Sequence, residues 1–317
     1  MDEKILALIR NKENDYVSGE EISKELCISR AAIWKHIEKL RQEGYDIAAM
    51  PHFGYKLIST PDRLIPSEVS WKLNTKTFGK KVYSFKKTDS TNTIAYKLAQ
   101  DGEPEGSVVF SEEQSKGRGR FQRKWISPQG GIYMSVILRP KLEPINTARI
   151  TVSAAVIVAE AIRDITNLPA KIKWPNDVLI EKQKVAGILT EMKAEQDMLD
   201  FVILGIGVNV NSPKKELPPG STSLKEELKS EVSKVELAKR ILELLEAHYP
   251  RIENEFEIII EEWRKLSDTL GRRVKVDIHG QALEGQALDV DENGGLILRL
   301  DSGFNRHILS GDVELVR

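Results

Sequence analysis

Cysteine and net charge are both scarce in this 317-residue sequence. Its single cysteine, Cys27, excludes a disulfide framework and is typical of a protein from a reducing cytoplasm. We expect Cys27 to be a small buried residue on a helix. The formal net charge is −1, so any contact with nucleic acid must come from a local basic surface. With one cysteine, the scattered histidines argue against a zinc site; they are His36, His52, His248, His279 and His307.

Several long-range sequence patterns are also missing. No continuous apolar run approaches the roughly 20 residues that cross a bilayer, and the first residues show no signal-peptide pattern. We therefore expect no membrane contact and a cytoplasmic location. No Gly-x4-Gly-Lys-Ser/Thr phosphate loop occurs. Residues 205–211 resemble a dinucleotide-binding fingerprint but lack its third glycine and following helix, so we interpret them as a strand whose glycines let another group approach its backbone.

What is present is ordinary globular composition, with 40% hydrophobic and 30% charged residues, and a length that suits two or three domains. The first 62 residues have the pattern of a separate small domain. Ser18 and Glu21 have the spacing of a capping box at a helix start, and Ser29 is a natural cap for a second helix. Two short strands follow, with a turn at 51–54. This order predicts a winged helix-turn-helix, whose second helix enters the DNA major groove. A helical bundle that packs on a partner is the alternative.

The second of these helices is locally basic, with Arg30, Lys35, Lys39 and Arg41 on its outward faces. Residues 1–60 as a whole hold about as many acidic as basic side chains. We therefore expect modest DNA affinity per domain and a dimer that bridges two half-sites. The residues expected to contact DNA are Ser29, Arg30, Ala31, Trp34, Lys35 and Lys39. A proline-bracketed linker over 61–66 would end this domain.

The most informative motif is the loop Gly117-Arg118-Gly119-Arg120. Its glycines let the backbone bend closely around a ligand, and guanidinium groups suit carboxylate and phosphate oxygens. We interpret the loop as an anion clamp that is mobile until an anion arrives. Taken alone, the motif is more typical of a solvated basic loop, and the rest of the sequence reverses that preference. The basic residues that crowd it are Lys116, Arg118, Arg120, Arg123 and Lys124.

A polar cluster lies between a predicted strand at 82–85 and a predicted helix at 93–100. Its members are Ser90, Thr91 and Asn92, and Gln114 follows the next predicted strand, at 108–110. Hydroxyl, amide and free N–H groups at such a junction can bind a ligand. A simple helix cap would explain one of these residues but not all.

A second charged cluster begins at Lys173-Trp174-Pro175-Asn176-Asp177 and continues at Lys184. We predict strand, irregular turn and strand, which brings two lysines and a carboxylate to neighbouring strands. A lysine there can neutralise charge that grows on a phosphoryl or carboxylate group, and Asp177 could help to hold a metal ion. An ordinary hairpin with surface lysines is the alternative.

The remaining segments predict core elements. We expect a buried strand at 131–138, an apolar core helix at 149–165 and helices at about 233–247 and 251–266. From Gly271 onwards, short alternating segments separated by turns predict a small β-barrel of roughly fifty residues.

Together these motifs resemble the biotin protein ligases, and the winged helix makes the chain similar to their bifunctional form, the biotin operon repressor. The resemblance covers essentially the whole chain. It rests on Gly117–Arg120 with Trp125, on Lys173–Asp177 with Lys184 and Gly187, and on Ser90–Asn92. It implies an α+β fold with three domains: a winged helix-turn-helix at 1–62, a class II synthetase-like mixed sheet with helices at 66–268, and an SH3-like β-barrel at 270–317.

The resemblance also implies an activity. Such enzymes activate biotin with MgATP to give biotinyl-5′-AMP, and then transfer biotin to a lysine of a biotin carboxyl carrier protein. The implied catalytic residues are Lys184, Arg118, Arg120 and Asp177, with Asp177 near Mg²⁺. The implied biotin-binding residues are Ser90, Thr91, Asn92, Gln114, Gly117, Arg118, Gly119, Arg120, Lys184 and Gly187. The implied ATP and adenylate contacts are Arg118, Arg120, Arg123, Trp125, Lys173, Asn176, Lys184 and Asn209, with the 212–222 loop as a further cover for adenine.

Partners follow from the same resemblance. They are the carrier domains of acetyl-CoA carboxylase and pyruvate carboxylase, operator DNA, and a second copy of the chain when biotinyl-AMP is bound. The acceptor motif Ala-Met-Lys-Met is absent, and Glu191-Met192-Lys193 only partly matches it, so the chain is the ligase and not its substrate. Two alternatives remain open: a biotin-sensing repressor without catalysis, and a lipoate-type ligase.

Overall fold

The computed structural model describes residues 1–12, 15–195, 198–278 and 281–315. His279 lies outside the described residues. The chain divides into two compact units, residues 1–63 and 64–317, and each is described by itself below.

The first unit consists of three helices and a two-stranded hairpin. Their bounds are α1 Asp2–Asn11, α2 Gly19–Leu26, α3 Arg30–Gln42, β1 Asp46–Met50 and β2 Gly54–Ser59. Both predicted caps form: Ser18 Oγ accepts a hydrogen bond from Glu21 N at 3.0 Å, and Ser29 Oγ accepts one from Ala32 N at 3.2 Å. A separate core closes the unit, with Ile5, Ile22, Ile33, Ile37 and Leu40 fully or almost fully buried. The predicted helix-turn-helix and wing are therefore confirmed.

Two expectations about this unit are wrong. Cys27 is exposed and has a left-handed backbone (φ 54°), because it ends α2 and does not belong to its buried face. Arg41 does not point outward as a free charge. Its guanidinium donates to Ile47 O at 3.0 Å from Nε and pairs with Glu38 at 2.6 Å. The contact with Ile47 ties the end of α3 to β1.

The second unit is built on a seven-stranded mixed sheet. Its helices are α4 Pro66–Val69, α5 Thr91–Gln100, α6 Thr147–Thr166, α7 Leu224–Leu228, α8 Lys234–Asn254 and α9 Phe256–Leu266. Its strands are β3 Val82–Phe85, β4 Val108–Ser111, β5 Ile132–Leu138, β6 Lys171–Lys173, β7 Asp177–Ile180, β8 Gln183–Glu195 and β9 Met198–Val208. The strand order is β3-β4-β5-β9-β8-β7-β6, and β3 and β4 are parallel while all other neighbours are antiparallel.

Strand residues alternate between two buried layers. On β4, Val108 and Phe110 join the large core that includes α6, α8 and α9, whereas Val109 joins a smaller core with Ala95 and Ala99 of α5. Successive strand residues point to opposite faces, so a continuous apolar run means cover on both sides. The apolar strands that the sequence predicts are buried for this reason.

Helix α6 is the predicted core helix. The stretch Pro144–Thr166 is long and apolar enough to cross a membrane, but 67% of its most apolar window is buried inside the fold, as in the core helix of a globular domain. The boundary predicted near residue 248 is wrong. Helix α8 continues through Pro250 to Asn254, because His248 and Ile252 extend its buried face.

The C-terminal part is an all-antiparallel β domain, as predicted. Its strands are β10 Arg273–Ile278, β11 Gln281–Val290, β12 Leu296–Leu300, β13 Asn305–Ile308 and β14 Asp312–Leu315, in the order β13-β12-β11-β10-β14. Its apolar face shares the large core of the second unit. Trp174 is fully buried and donates from Nε1 to Gly294 O at 3.0 Å, which joins the central sheet to the C-terminal sheet.

Candidate functional site

One cleft in the second unit gathers almost every residue that the sequence singled out. Arg120 of the arginine loop and Lys184 of the second charged cluster both line it. The other predicted residues that line it are Ser90, Thr91, Asn92, Gln114, Arg118, Gly119, Arg123, Trp125, Asn176, Asp177, Gly187 and Asn209. Lys173 lines an adjoining cavity that shares Asp177 and Lys184. Gly117 lines neither cavity, although it begins the loop that borders the cleft.

At one end of the cleft, the Ser90–Asn92 cluster is held by a dense hydrogen-bond network. Thr91 donates to Gln114 Oε1 from its backbone N (2.8 Å) and from Oγ1 (3.2 Å). Gln114 in turn donates to Ser127 Oγ at 3.0 Å. The Ser135 hydroxyl lies 2.8 Å from Thr91 Oγ1 and 2.6 Å from Asn92 Oδ1. Thr91, Asn92 and Ser135 are buried and have hydrogen-bond partners without a ligand, so this end of the cleft is preformed.

Two glycines of β9 create the space that these groups occupy. A Cβ at Gly205 would overlap the amide oxygen of Asn92, and a Cβ at Gly207 would overlap the indole of Trp125. The segment is thus a strand whose backbone is approached by side chains, as interpreted from the sequence. Gly207 leaves room for the Trp125 ring to lie against the sheet beside Lys184, whose Nζ is 5.1 Å from the ring centroid.

The arginine loop is a compact turn. Trp125 N donates to Gly117 O at 2.9 Å, and Gly119 N donates to Arg123 O at 2.7 Å. At its tip Phe121 and Gln122 both have left-handed backbones, with φ of 52° and 58°. Such conformations are uncommon for residues with large side chains, and they mark the tip as a strained segment. The loop therefore closes on itself while its tip is held open toward solvent.

Each arginine of the loop already has an oxygen partner. Arg118 donates from Nη2 to Glu191 Oε2 at 2.8 Å. Arg123 forms an ion pair with Asp312. Arg120 donates to three acceptors: Asn176 Oδ1 at 3.3 Å, Gly311 O at 3.1 Å and Ser310 Oγ at 2.8 Å. A ligand anion would compete with these partners for the guanidinium groups.

Burial lowers the pKa of the Arg120 guanidinium, and the nearby charges of Asp312 and Asp177 only partly offset this effect. A guanidinium keeps its charge at neutral pH even so. Because the partly buried guanidinium has lost some of its hydration, a phosphate or carboxylate oxygen at this position would stabilise its charge.

The second charged cluster forms as predicted on β6, β7 and β8, around a cis peptide bond between Trp174 and Pro175. Lys184 Nζ lies 2.5 Å from Asp177 Oδ1, and Lys173 Nζ lies 3.8 Å from Asp177 Oδ2. Backbone hydrogen bonds tie Lys184 to the 212–222 loop, through Gly220 O and Thr222 N at 2.9 Å each. The strands thus fix one lysine at the centre of the cleft.

These residues do not fit a magnesium site held by the protein alone. Both oxygens of Asp177 face lysines, and among the residues that the structure describes no group of three His, Cys, Asp or Glu side chains is placed to hold a metal. Magnesium keeps much of its coordination from water and substrate phosphates. An ion at this site would therefore need further ligands from water or from a bound phosphate compound.

Three buried side-chain atoms of residues that line the cleft make no hydrogen bond within the described parts of the chain: Asn209 Oδ1, Trp125 Nε1 and Asp177 Oδ1. The last of these has the ion pair with Lys184, whereas the first two have no such partner. The amide nitrogen of Asn209 is used, since it donates to Thr222 O at 3.0 Å. A buried unpaired acceptor and donor are costly unless a ligand or water satisfies them. Asn209 Oδ1 and Trp125 Nε1 can therefore bind a donor and an acceptor, respectively, of a ligand or of water.

Several residues of the site were missed by sequence reasoning. Ser135 is the only small polar residue in the strand Ile132–Leu138, which is a signal that could have identified it. Glu191 was noted only in a partial acceptor motif. Ser310 and Asp312 contact the loop from the C-terminal domain. No local pattern in the sequence predicts such a long-range contact.

On the first unit, the outward face of α3 is less cationic than the sequence suggests. Arg30 pairs with Glu20 at 3.2 Å, and Lys39 pairs with Asp2 and with Glu43. Lys35 is exposed and has no ion pair with any residue that the structure describes. Trp34 is 55% exposed beside it. Exposed pairs of this kind are weak and can be exchanged for phosphate contacts.

Comparison with known proteins agrees with this geometry. Residues 84–209 match the Biotin/lipoate A/B protein ligase family, residues 2–56 match a helix-turn-helix domain family, and residues 269–316 match the biotin protein ligase C-terminal domain. The bifunctional ligase/repressor BirA of Bacillus subtilis (strain 168) is 36% identical over 98% of this chain and 97% of that protein. The protein of the same name from Escherichia coli (strain K12) is 30% identical over 98% and 96%.

Among solved structures, the chain is similar to the biotin protein ligase from Aquifex aeolicus in complex with biotin and ATP. The TM-score is 0.66 and the identity is 30%, with 75% of this chain and 99% of that chain covered. The family matches cover the ligase core, the C-terminal domain and the helix-turn-helix unit, and the two BirA proteins align with 98% of the chain. The chain therefore belongs to the biotin protein ligase family, in its bifunctional ligase/repressor form.

Proposed function

We propose that this protein joins biotin to the lysine of a biotin carboxyl carrier domain at the expense of ATP. A biotin carboxylate oxygen attacks the α-phosphorus of ATP, and pyrophosphate leaves. The lysine amine then attacks the carbonyl carbon of biotinyl-5′-AMP, and AMP leaves with the bonding electron pair. The observation that carries this proposal is the convergence of Lys184, the arginine loop and a preformed polar cluster on one cleft.

The preformed end suits the ureido ring of biotin, which is small, polar and rigid. Ser90, Thr91 and Gln114 offer hydroxyl and amide groups there. Met134, Ile188 and Ile206 line the cleft with apolar surface that suits the rest of the vitamin. Binding pockets commonly combine such apolar walls with a few fixed polar groups.

The charged end suits the acyl phosphate. Lys184 is aligned by Asp177 and would neutralise charge on the carboxylate and α-phosphate as the new bond forms. Arg118 and Arg120 would exchange their present acceptors for phosphate oxygens and keep water from the mixed anhydride. Trp125 and Asn209 would contact the adenine, with Arg123, Lys173 and Asn176 close to the nucleotide.

Magnesium enters this scheme as part of MgATP, and no step is assigned to a protein-held ion. The acceptors are the carrier domains of acetyl-CoA carboxylase and pyruvate carboxylase. Such acceptors belong to the cytoplasm, where we place this protein. The ligase domain would span residues 66–268 and the C-terminal domain residues 270–317.

The test is transfer of labelled biotin or labelled lipoate to a purified carrier domain, with the wild-type protein and with Lys184→Ala. We expect transfer of biotin only, and a loss of about a hundredfold or more in the variant, since removal of one charge-stabilising group in an active site costs about that much. Transfer of lipoate would favour the lipoate-type ligase. Biotin binding without any transfer would favour a repressor that lacks catalysis.

We further propose that residues 1–62 bind operator DNA as a homodimer when biotinyl-AMP occupies the cleft. The exposed Trp34 and Lys35 support contact through α3, together with Ser29, Arg30, Ala31 and Lys39. Linkage supplies the mechanism: a ligand that favours the dimer also favours DNA binding. Fluorescence anisotropy with an operator fragment tests this. We expect DNA binding to require biotin and ATP and to weaken in Lys35→Ala. DNA binding of the same strength without biotin and ATP would contradict this proposal.

A further inference from the structure

A chain of polar contacts runs from the buried Ser90–Asn92 cluster to the arginine loop, and Glu191 is its central member. Glu191 lies on β8, where alternate residues share a face, and Gly187 and Leu189 of that face line the cleft. Its Oε2 accepts two hydrogen bonds, from Asn92 Nδ2 at 2.7 Å and from Arg118 Nη2 at 2.8 Å. One carboxylate oxygen thus joins the two ends of the site.

Asn92 is committed to this chain. It is 5% exposed, its Oδ1 faces the Ser135 hydroxyl at 2.6 Å, and its Nδ2 is used by Glu191. The absence of a Cβ at Gly205 gives the Asn92 side chain its space. Because both polar ends of Asn92 are occupied by protein groups, its side chain is placed to fix Glu191 rather than to bind a ligand.

Arg118, by contrast, is half-exposed, and Glu191 is the acid with which it pairs within the described residues. A mobile guanidinium loses several rotatable bonds of freedom when it binds, and a fixed carboxylate removes part of that cost in advance. The pairing also holds the loop at Arg118, next to Gly117 and Gly119. Glu191 therefore acts on the anion through Arg118 and does not need to touch it.

We propose that Glu191 is a positioning residue of the ligase, which orients Arg118 for the adenylate and is itself oriented by Asn92. This inference rests on the proposed ligase function. In this arrangement Asn92 supports the arginine loop through Glu191, and the retention of biotinyl-AMP depends on Glu191 of the central sheet. Loss of Glu191 should therefore affect the nucleotide side of the cleft more than biotin binding.

The test uses Glu191→Gln in the full-length protein. A glutamine amide oxygen can still accept from Asn92, so the buried network survives, while the charge that orients Arg118 is lost. We expect preformed biotinyl-AMP to dissociate about tenfold faster and the KM for ATP to rise by a similar factor, the usual size of one charge-assisted hydrogen bond. The affinity for biotin and the thermal unfolding midpoint should change little.

A double-mutant cycle separates positioning from a general structural effect. In an Arg118→Gln background, Glu191→Gln should cause no further increase in adenylate release, because the two residues act as a unit. Glu195→Gln is the matched control on the same strand, since Glu195 pairs only with Lys193 at 3.1 Å among the described residues and is mostly exposed. It should behave as wild type.

Two results would overturn the inference. One is wild-type adenylate retention in Glu191→Gln, and the other is an effect of equal size with and without the Arg118 guanidinium. A wild-type protein that forms no biotinyl-AMP would instead refute the proposed ligase function. The two failures are therefore distinguishable in one set of measurements.

Discussion

The two ends of the cleft are built in different ways. At the end that we propose for biotin, called the biotin end below, Thr91 and Asn92 are almost completely buried, and they hydrogen-bond to Gln114, Ser135 and Glu191. At the end that we propose for the adenylate, the arginine loop carries the exposed side chains of Arg118 and Arg123 and the partly buried side chain of Arg120. Its backbone has two consecutive left-handed residues. One end is fixed by packing, whereas the other is held by ion pairs that water or a phosphate can replace.

This difference suits the order of the chemistry. A fixed pocket recognises a small neutral ring system with little loss of entropy. A loop with exchangeable ion pairs can admit ATP, close over the acyl phosphate and open again for the carrier lysine. The comparison predicts that substitutions at the fixed end change affinity for biotin, and that substitutions at the loop change retention or admission of the nucleotide.

Among the substitutions that test this contrast between the two ends, the largest effect is expected from Gly205→Ala, at the fixed end. The new Cβ would overlap the Asn92 amide oxygen, and the packed network has no room to yield. Overpacking of this kind costs about 1–3 kcal/mol. We expect biotin affinity, measured by titration calorimetry, to fall about tenfold to a hundredfold, with a lower unfolding midpoint.

The control for that substitution is Gly19→Ala in the first unit. A Cβ at Gly19 would meet only a Tyr55 ring carbon at 3.9 Å, which is ordinary contact distance. Biotin affinity should be unchanged. If Gly205→Ala bound biotin as well as wild type, the fixed end would be more adaptable than its hydrogen bonds suggest, and the contrast between the two ends would fail.

An intermediate effect is expected from Arg120→Gly, at the loop. Removal of this guanidinium takes away a buried cation and its three present contacts, so biotinyl-AMP should escape before the carrier lysine arrives. We expect labelling of bystander proteins to rise about tenfold, detected by blotting with labelled streptavidin, a factor typical of one charged hydrogen bond. Biotin affinity should change less than about twofold.

The result for bystander labelling decides the role of the loop. Labelling at the wild-type level, together with normal transfer to the carrier, would mean that Arg120 does not retain the adenylate. Loss of biotin affinity in this variant would mean that the two ends of the cleft are not independent.

The contrast between the ends also explains which features the sequence could predict. Strands, helices and the capping residues Ser18 and Ser29 follow from local periodicity and hydrogen bonding, and they are found as expected. The two motifs that meet at Lys184 and Arg120 were identifiable because each is a dense local cluster of charge. Their convergence could be inferred only from the family resemblance, since no local rule brings residue 120 next to residue 184.

Other features depend on tertiary contacts and escaped prediction. Glu191 is one of several charged residues near the end of β8. Its role depends on hydrogen bonds from Asn92 and Arg118, which form only in the folded protein. Cys27 was expected to be buried because cysteine usually is, but its position at the end of α2 exposes it. The continuation of α8 past Pro250 reflects burial against the core, which outweighs the local cost of proline.

The smallest effect is expected from Asp312→Asn, which alters the contact of the loop with the C-terminal sheet. Asp312 pairs with Arg123 and faces Arg120, so its carboxylate competes with phosphate for both cations. Because Arg123 is mostly exposed, its pair contributes little, on the order of 1 kcal/mol or less. We expect the KM for ATP, measured by pyrophosphate release, to fall about two- to threefold.

Two measurements distinguish competition between Asp312 and phosphate from support of the arginine loop by Asp312. They are the dependence of the KM for ATP on ionic strength and the behaviour of Ser310→Ala. Screening weakens exposed ion pairs, so the advantage of Asp312→Asn should shrink as ionic strength rises. Ser310→Ala removes an uncharged acceptor of Arg120 and should not show this salt dependence. A higher KM for ATP in Asp312→Asn would contradict competition, because it would mean that the C-terminal carboxylate holds the arginine loop in the position that binds nucleotide. In that case the loop would be as preformed as the biotin end.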